Sequence, residues 1–169
     1  MKKFNLTVAS LVVVVLMAGC GGGKASGDVY STEVMSVVAP SGWKVFPYYV
    51  LGSSTETRED ILGVYKGAKE PIDQMSTPGL VINYFSEAKI VMTPPKSWYE
   101  DVVDIEPFTL GNYTWEGFTG TRSDMPQAIC WTTNAVELFQ VVVWLENGGK
   151  KLSFDDADVQ SIIASISAK

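Results

Sequence analysis

Apolar and polar residues alternate along much of the chain between residues 35 and 145, and this pattern is typical of half-buried β-strands. Prolines and glycines divide the pattern into short segments. Gly111-Asn112 and Asn134-Ala135 each separate two segments by two residues, as in β-hairpins. We therefore expect a largely antiparallel sheet, with strands at residues 35–39, 43–50, 61–65, 80–85, 108–110, 113–121, 128–133 and 136–145.

The predicted strands differ in their expected place in the sheet. Pro47 has no backbone N–H to donate, so segment 43–50 is predicted to be an edge strand or a broken one. The run Val141-Val142-Val143-Trp144 is apolar on both faces, which is typical of a central, covered strand. Residues 53–60 and 66–78 are polar or contain proline and glycine, and we predict that they are loops.

Two helices are predicted. The first covers residues 97–104, which follow two prolines, precede Pro107 and carry Trp98 and Val102 near helical spacing. The second lies at the C-terminal end, where apolar residues follow the i, i+3, i+4, i+7 rule: Val159, Ile162, Ile163 and Ile166. Ser153 or Asp155 is expected to cap it, and further aspartates complement its N-terminal dipole.

The order of these elements resembles the PsbP/Mog1-like fold. The resemblance rests on a strand that ends in Ala39-Pro40-Ser41-Gly42-Trp43, an internal helix, hairpin strands and a final helix that begins among aspartates. It implies an α+β class, with a curved antiparallel β-sheet flanked by an internal helix and a C-terminal helix in an α/β/α sandwich. The superfamily's members differ widely in function, so the resemblance implies no activity.

The first twenty residues have the layout of a secretory signal. Lys2-Lys3 is the positive region, residues 6–17 are the apolar region, and small Ala18 and Gly19 precede Cys20. The alternative is an uncleaved membrane anchor, because no charged residue lies between Phe4 and Gly23. The densely apolar part is only residues 11–17, which suits a signal peptide better than a spanning helix.

The run Leu16-Met17-Ala18-Gly19-Cys20 resembles a bacterial lipobox, with Met17 where that motif most often has leucine. The resemblance implies a type II signal peptide at residues 1–19. It also implies that Cys20 is the lipidation site, bears fatty acyl chains such as palmitate, and becomes the new N-terminus. Residues 20–29 would then form a flexible Gly/Ser tether, and residues 30–169 a single α+β domain.

Charge and residue types exclude several classes of function. Residues 1–19 hold two lysines and no acid, so eleven cationic residues face nineteen acidic ones in the remainder, a net charge of −8. That charge disfavours nucleic-acid binding. The chain has no histidine, which removes the usual general base and the commonest zinc ligand. Cys130 is predicted to be buried and inert in an apolar strand.

Acidic clusters have a functional and a structural interpretation. The functional interpretation is cation binding. The structural interpretation, which is favoured, is a solvated helix face or helix capping. A pair of carboxylates could also support glycoside hydrolysis if two distant acids met in space. The clusters are Glu100, Asp101, Asp104 and Glu106 near the internal helix, and Asp155, Asp156 and Asp158 near the C-terminal one. A third group, Glu56, Glu59 and Asp60, is interpreted as part of an ordinary polar loop.

Aromatic residues gather at 43–49, 98–99 and 113–118, where they suit either core packing or recognition of a glycan or protein. Core packing is favoured for most of them. Trp98 is the exception, since Trp98 and Tyr99 are adjacent and cannot easily both be buried.

We therefore expect a noncatalytic, lipid-anchored cell-envelope protein on the extracytoplasmic face of the membrane, without cofactor or metal. It would bind an envelope protein or glycan. The alternative is an envelope hydrolase that uses carboxylate acid–base chemistry. Two converging, desolvated acids in a concave pocket would favour the hydrolase, and a shallow surface with exposed aromatics would favour the binding module.

Overall fold

A seven-stranded antiparallel sheet dominates the structure, a computed structural model that describes residues 27–51, 53–85, 93–133 and 138–169. The signal sequence, the Leu16–Cys20 motif and the Asn134-Ala135 turn lie outside the described residues. The strands, in chain order, are β1 Asp28–Ser31, β2 Met35–Ala39, β3 Trp43–Tyr49, β4 Thr57–Lys66, β5 Gly79–Phe85, β6 Glu100–Leu110, β7 Tyr113–Arg122, β8 Met125–Thr132, β9 Leu138–Trp144, β10 Glu146–Asn147, β11 Lys150–Lys151 and β12 Ser167–Ala168. A helix, α1, spans Ala157–Ser165, and short 3₁₀ helices span Pro71–Met75 and Lys96–Trp98.

The strand order of the large sheet is β3-β4-β5-β9-β8-β7-β6. β3 is an edge strand with a register shift after Pro47, as the missing N–H predicts. β9 lies in the middle, between β5 and β8, which confirms the central position predicted from its apolar run. β8 and β9 pair antiparallel, and so do β6 and β7 on either side of Gly111-Asn112.

A second layer covers one face of the large sheet. It consists of α1 and a three-stranded sheet of order β1-β2-β12. The core between the layers joins Met35 and Val37 of β2 and three apolar residues of α1 to alternate residues of the large sheet, including Leu80, Trp115 and Val141. Burying that apolar face is what stabilises the layered arrangement. The fold is α+β, as predicted.

The predicted internal helix at residues 97–104 is wrong. Lys96–Trp98 forms a single 3₁₀ turn, and the eleven residues from Glu100 form the edge strand β6. The helix-like spacing of apolar residues in β6 comes from two register shifts against β7, one after Glu100 and one after Ile105. Each shift sets three residues of β6 against two of β7, so Ile105 and Phe108 both pack against the core although they are three residues apart. That spacing imitates a helix.

The C-terminal helix is confirmed, with Val159, Ile162 and Ile163 fully buried. Its cap is Asp156 rather than Ser153 or Asp155, since the Asp156 carboxylate accepts a hydrogen bond from the Asp158 amide at 2.9 Å. The loop predicted at 53–60 is shorter than expected, because β4 already begins at Thr57. The tether predicted at 20–29 overlaps β1, which begins at Asp28. Among the described residues, no helix has the length and apolar character that crossing a bilayer requires.

Candidate functional site

The acidic residues predicted near the internal helix do not form a cation site. Glu100, Asp101, Asp104 and Glu106 are all exposed along β6. Asp104 forms an ion pair with Lys96. Across the described parts of the chain, no group of three or more His, Cys, Asp or Glu side chains is arranged to hold a metal ion.

The aspartates at the start of α1 form a structural junction. Besides the cap made by Asp156, the Asp158 carboxylate accepts a hydrogen bond from the indole N–H of Trp43 at 3.0 Å. The Lys66 ammonium lies 3.3 Å from Asp156, 3.6 Å from Asp158 and 5.5 Å from the centre of the Trp43 ring. These contacts fix Trp43, at the start of β3, to the first turn of the helix. Both carboxylates therefore have a structural role.

Two other carboxyls have a pKa unsuited to a general acid. Asp60 accepts a two-point hydrogen bond from Arg58, at 2.9 and 2.6 Å, which lowers the Asp60 pKa. Asp73 accepts hydrogen bonds from the amides of Glu70 and Lys69, which lower the Asp73 pKa. A general acid needs the opposite shift, toward the working pH.

Cys130 is fully buried in β8. Burial disfavours the thiolate and raises the pKa of the Cys130 thiol to about 12. The thiol is therefore a small apolar core group rather than a nucleophile.

Most of the aromatic residues that the sequence singles out belong to the core. Trp43, Tyr113, Trp115 and Phe118 are buried. Trp115 and Phe118 lie on opposite faces of β7, because they are three residues apart in a strand. The Trp115 indole N–H donates to the Leu110 carbonyl at 3.1 Å. These residues are not available to a ligand.

Trp98 is different, because 57% of its surface is exposed. The guanidinium carbon of Arg122 lies 5.1 Å from the Trp98 ring centre and 5.9 Å from that of Tyr99. Tyr99 packs edge-on against buried Phe118, with ring centres 5.2 Å apart. We call Trp98, Tyr99 and Arg122 the Trp98 surface. Arg122 lies over the Trp98 ring, and more than half of the Trp98 surface still faces solvent.

An open cleft of about 450 Å³ lies beside the turn between β2 and β3. The first residues of β1, the Pro40–Gly42 turn and the segment after β4 line it. Its charged lining includes Lys44, Lys69 and, among the described residues, a single acid, Asp28. All three are exposed. The cleft therefore does not bring together the pair of carboxylates that a glycosidase needs.

The sequence pointed to Trp98 but not to Arg122 or the cleft. The predicted strand at 113–121 stopped one residue short, whereas β7 ends at Arg122. The cleft depends on the β1–β2 pairing and on the amide of Gly67, which donates to the Gly42 carbonyl at 2.7 Å. The turns at Gly42 and Gly67 can each be recognised in the sequence, but the sequence does not show that they lie next to each other.

Comparison with solved structures shows a similarity in fold. The chain resembles cyanobacterial PsbP (CyanoP) from Synechocystis sp. PCC 6803, whose structure was solved in solution. The match has a TM-score of 0.44 and 15% sequence identity, and covers 90% of this chain and 99% of that chain. No protein-family model and no curated protein matches the chain. No residue takes a role from this similarity.

Proposed function

We propose that the chain is a noncatalytic, lipid-anchored module of the cell envelope. Acyl chains on Cys20 would hold it at the extracytoplasmic face of the membrane, and the Trp98 surface would bind an envelope protein or glycan. The observation that supports binding is the exposed indole of Trp98, held by Arg122. Tryptophan and arginine are the residues that most often dominate binding at interfaces, and indole faces also stack on sugars.

The lipid anchor is supported by the Leu16–Cys20 motif and by where the domain begins. β1 starts at Asp28, eight residues after Cys20. Two or more acyl chains would hold the domain firmly, since each buried methylene contributes about 0.8 kcal/mol. The carboxylate hydrolase is the weaker candidate, because the open cleft contains one acid instead of two among the residues described.

Thiol counting tests the anchor. If Cys20 is acylated at sulfur, the native protein should give no reaction with a thiol reagent at pH 8, because Cys130 is buried and its pKa is about 12. Only about one Cys130 in ten thousand would be a thiolate at that pH. After denaturation, one thiol should react. A native protein that shows one reactive thiol would mean that Cys20 is free.

Membrane attachment provides a second test of the same proposal. A Cys20→Ala chain should not be processed and should lose its acyl chains. If the native chain in the membrane also kept residues 1–19 and carried no acyl chains, an uncleaved anchor would replace lipidation.

Replacing Trp98 by alanine tests the binding surface. We expect Trp98→Ala to reduce the recovery of crosslinked envelope partners at least tenfold, because a central indole contributes about 2 kcal/mol or more at an interface. Stability should change by no more than about 0.5 kcal/mol, since the side chain is exposed. Tyr49→Ala is the control, because Tyr49 is 49% exposed on the opposite edge strand. Equal losses of recovery in both variants would contradict a site at Trp98.

A further inference from the structure

Two apolar side chains project from the connection between β4 and β5. Ile72 is 65% exposed and Met75 is 73% exposed. Both belong to the 3₁₀ helix Pro71–Met75. Because a 3₁₀ helix has three residues per turn, residues 72 and 75 lie on the same side of it. They form a small apolar ridge, which we call the Ile72 ridge.

The ridge is held in a fixed conformation by hydrogen bonds on both sides. The Asp73 carboxylate accepts from the amides of Lys69 and Glu70, at 2.7 and 3.0 Å. The Asn147 side chain donates to the carbonyls of Gln74 and Thr77, both at 3.2 Å. These hydrogen bonds therefore fix two apolar side chains in positions where they are exposed and are not stabilised by burial in the core. Two apolar side chains held on one side of the 3₁₀ helix are available for contact with an apolar surface.

The ridge and Gly27 lie at the same end of the large sheet. β4 ends at Lys66 and β5 begins at Gly79, so the ridge connects them at the end where β3 begins. Asp28 pairs with Ala39 just before the turn into β3, which places Gly27 there too. We call this the Gly27 end. The opposite end carries the connection after β3, including Leu51.

The position of Gly27 limits how far this end can lie from the anchor. Seven residues connect Cys20 to Gly27, and a chain of that length spans at most about 25 Å when fully extended. The sheet itself is longer, since the eleven residues of β6 extend about 36 Å. A lipid on Cys20 would therefore keep the Gly27 end within reach of the membrane and exclude an inverted orientation, in which this end points away from the bilayer.

We infer that the Ile72 ridge contacts the lipid bilayer and orients the domain on the membrane. This inference rests on the proposed lipidation of Cys20. The contact would be apolar rather than ionic, because the lysines at this end are offset by acids. Lys151 lies 3.5 Å from Glu146, and Lys66 is paired with Asp156. Exposed Lys44 and Lys69 share this end with the acids Asp28, Glu70 and Asp73. Two side chains alone would bind weakly. On a domain that acyl chains already hold in place, they would select one orientation.

Depth-sensitive labelling tests the inference on the full, lipidated chain in vesicles of neutral phosphatidylcholine. Single Ile72→Cys and Met75→Cys variants would carry an environment-sensitive fluorophore, and Leu51→Cys is the matched control, fully exposed at the opposite end. Buried Cys130 should not be labelled. We expect blue-shifted emission at 72 and 75, and severalfold stronger quenching by brominated lipid than at 51. High salt should change neither the emission nor the quenching.

The outcomes distinguish failure of the ridge contact from failure of the lipid anchor. Strong quenching at 72 and 75 alone supports the ridge contact. Membrane-bound protein with equal, weak quenching at 72, 75 and 51 would overturn the ridge contact and leave the lipid anchor intact. Labels at 72 and 75 that are shielded from water without lipid quenching would indicate a protein on the ridge, which also overturns it. Protein that does not float with the vesicles would overturn the anchor and the ridge contact together.

Discussion

Trp115→Ala is expected to lower the free energy of unfolding by about 3–5 kcal/mol, the usual cost of deleting a large buried aromatic side chain. Trp115 has no exposed surface and packs edge-on against Tyr113, with ring centres 6.1 Å apart. Its removal would leave a cavity between the sheet and α1. It would also deprive the Leu110 carbonyl of the indole hydrogen bond at 3.1 Å. For a domain with a total stability of about 5–15 kcal/mol, that loss is severe.

Urea unfolding followed by far-UV circular dichroism measures the effect without depending on tryptophan emission. Trp98→Ala removes the same side chain from an exposed position and should change stability by no more than about 0.5 kcal/mol. Comparable losses in the two variants would mean that Trp115 is not the central core residue described above.

Gly111→Ala is the second substitution for which we expect a large effect. Gly111 has a φ of 63°, which disfavours any residue with a Cβ, and an added Cβ would lie 2.3 Å from the Ala164 carbonyl oxygen. The Ala164 carbonyl is backbone and a Cβ is attached directly to the backbone, so no flexible side chain can move to relieve the clash. Either the β6–β7 turn or the last turn of α1 must shift. We expect a loss of about 3 kcal/mol or more in the same urea assay.

Gly42→Ala separates the effect of backbone strain from that of the steric clash. Gly42 also has a positive φ, 83°, but an added Cβ there would meet no atom of the described residues within 4 Å, apart from its own chain neighbours. Its substitution should therefore cost only the conformational strain, about 1–2 kcal/mol. If Gly111→Ala cost no more than Gly42→Ala, the turn would not pack against the helix as described.

The fold was predictable where one physical requirement determined the sequence. The apolar run at 141–144 suits only a strand covered on both sides, and β9 is central. Val159, Ile162 and Ile163 suit one face of a helix, and all three are buried. The prediction failed at β6, because two bulges changed the period from two to three. A bulge depends on the partner strand, which local sequence does not show.

The candidate sites were predictable to a smaller degree. Adjacent Trp98 and Tyr99 indicated that one ring must face solvent, and Trp98 does. The cation beside it comes from Arg122, 24 positions further along the chain. The Ile72 ridge lies in a segment predicted to be a loop, where a single Ile and Met carry no periodic signal. Their proposed role depends on the three-dimensional structure, which places Gly27 and the Ile72 ridge at the same end of the large sheet.

The pairing of β2 also has a consequence for the time at which the chain can fold. β2 takes β1 on one side and β12 on the other, and the hydroxyls of Ser36 and Ser167 lie 2.8 Å apart across a separation of 131 residues. Contacts of such long sequence separation close late in folding. The second layer cannot be completed until residue 168 has been synthesised. If the chain is exported N-terminus first, the second layer could not form until nearly all of the chain had been synthesised. This delay would help to keep the chain unfolded while it crosses the membrane.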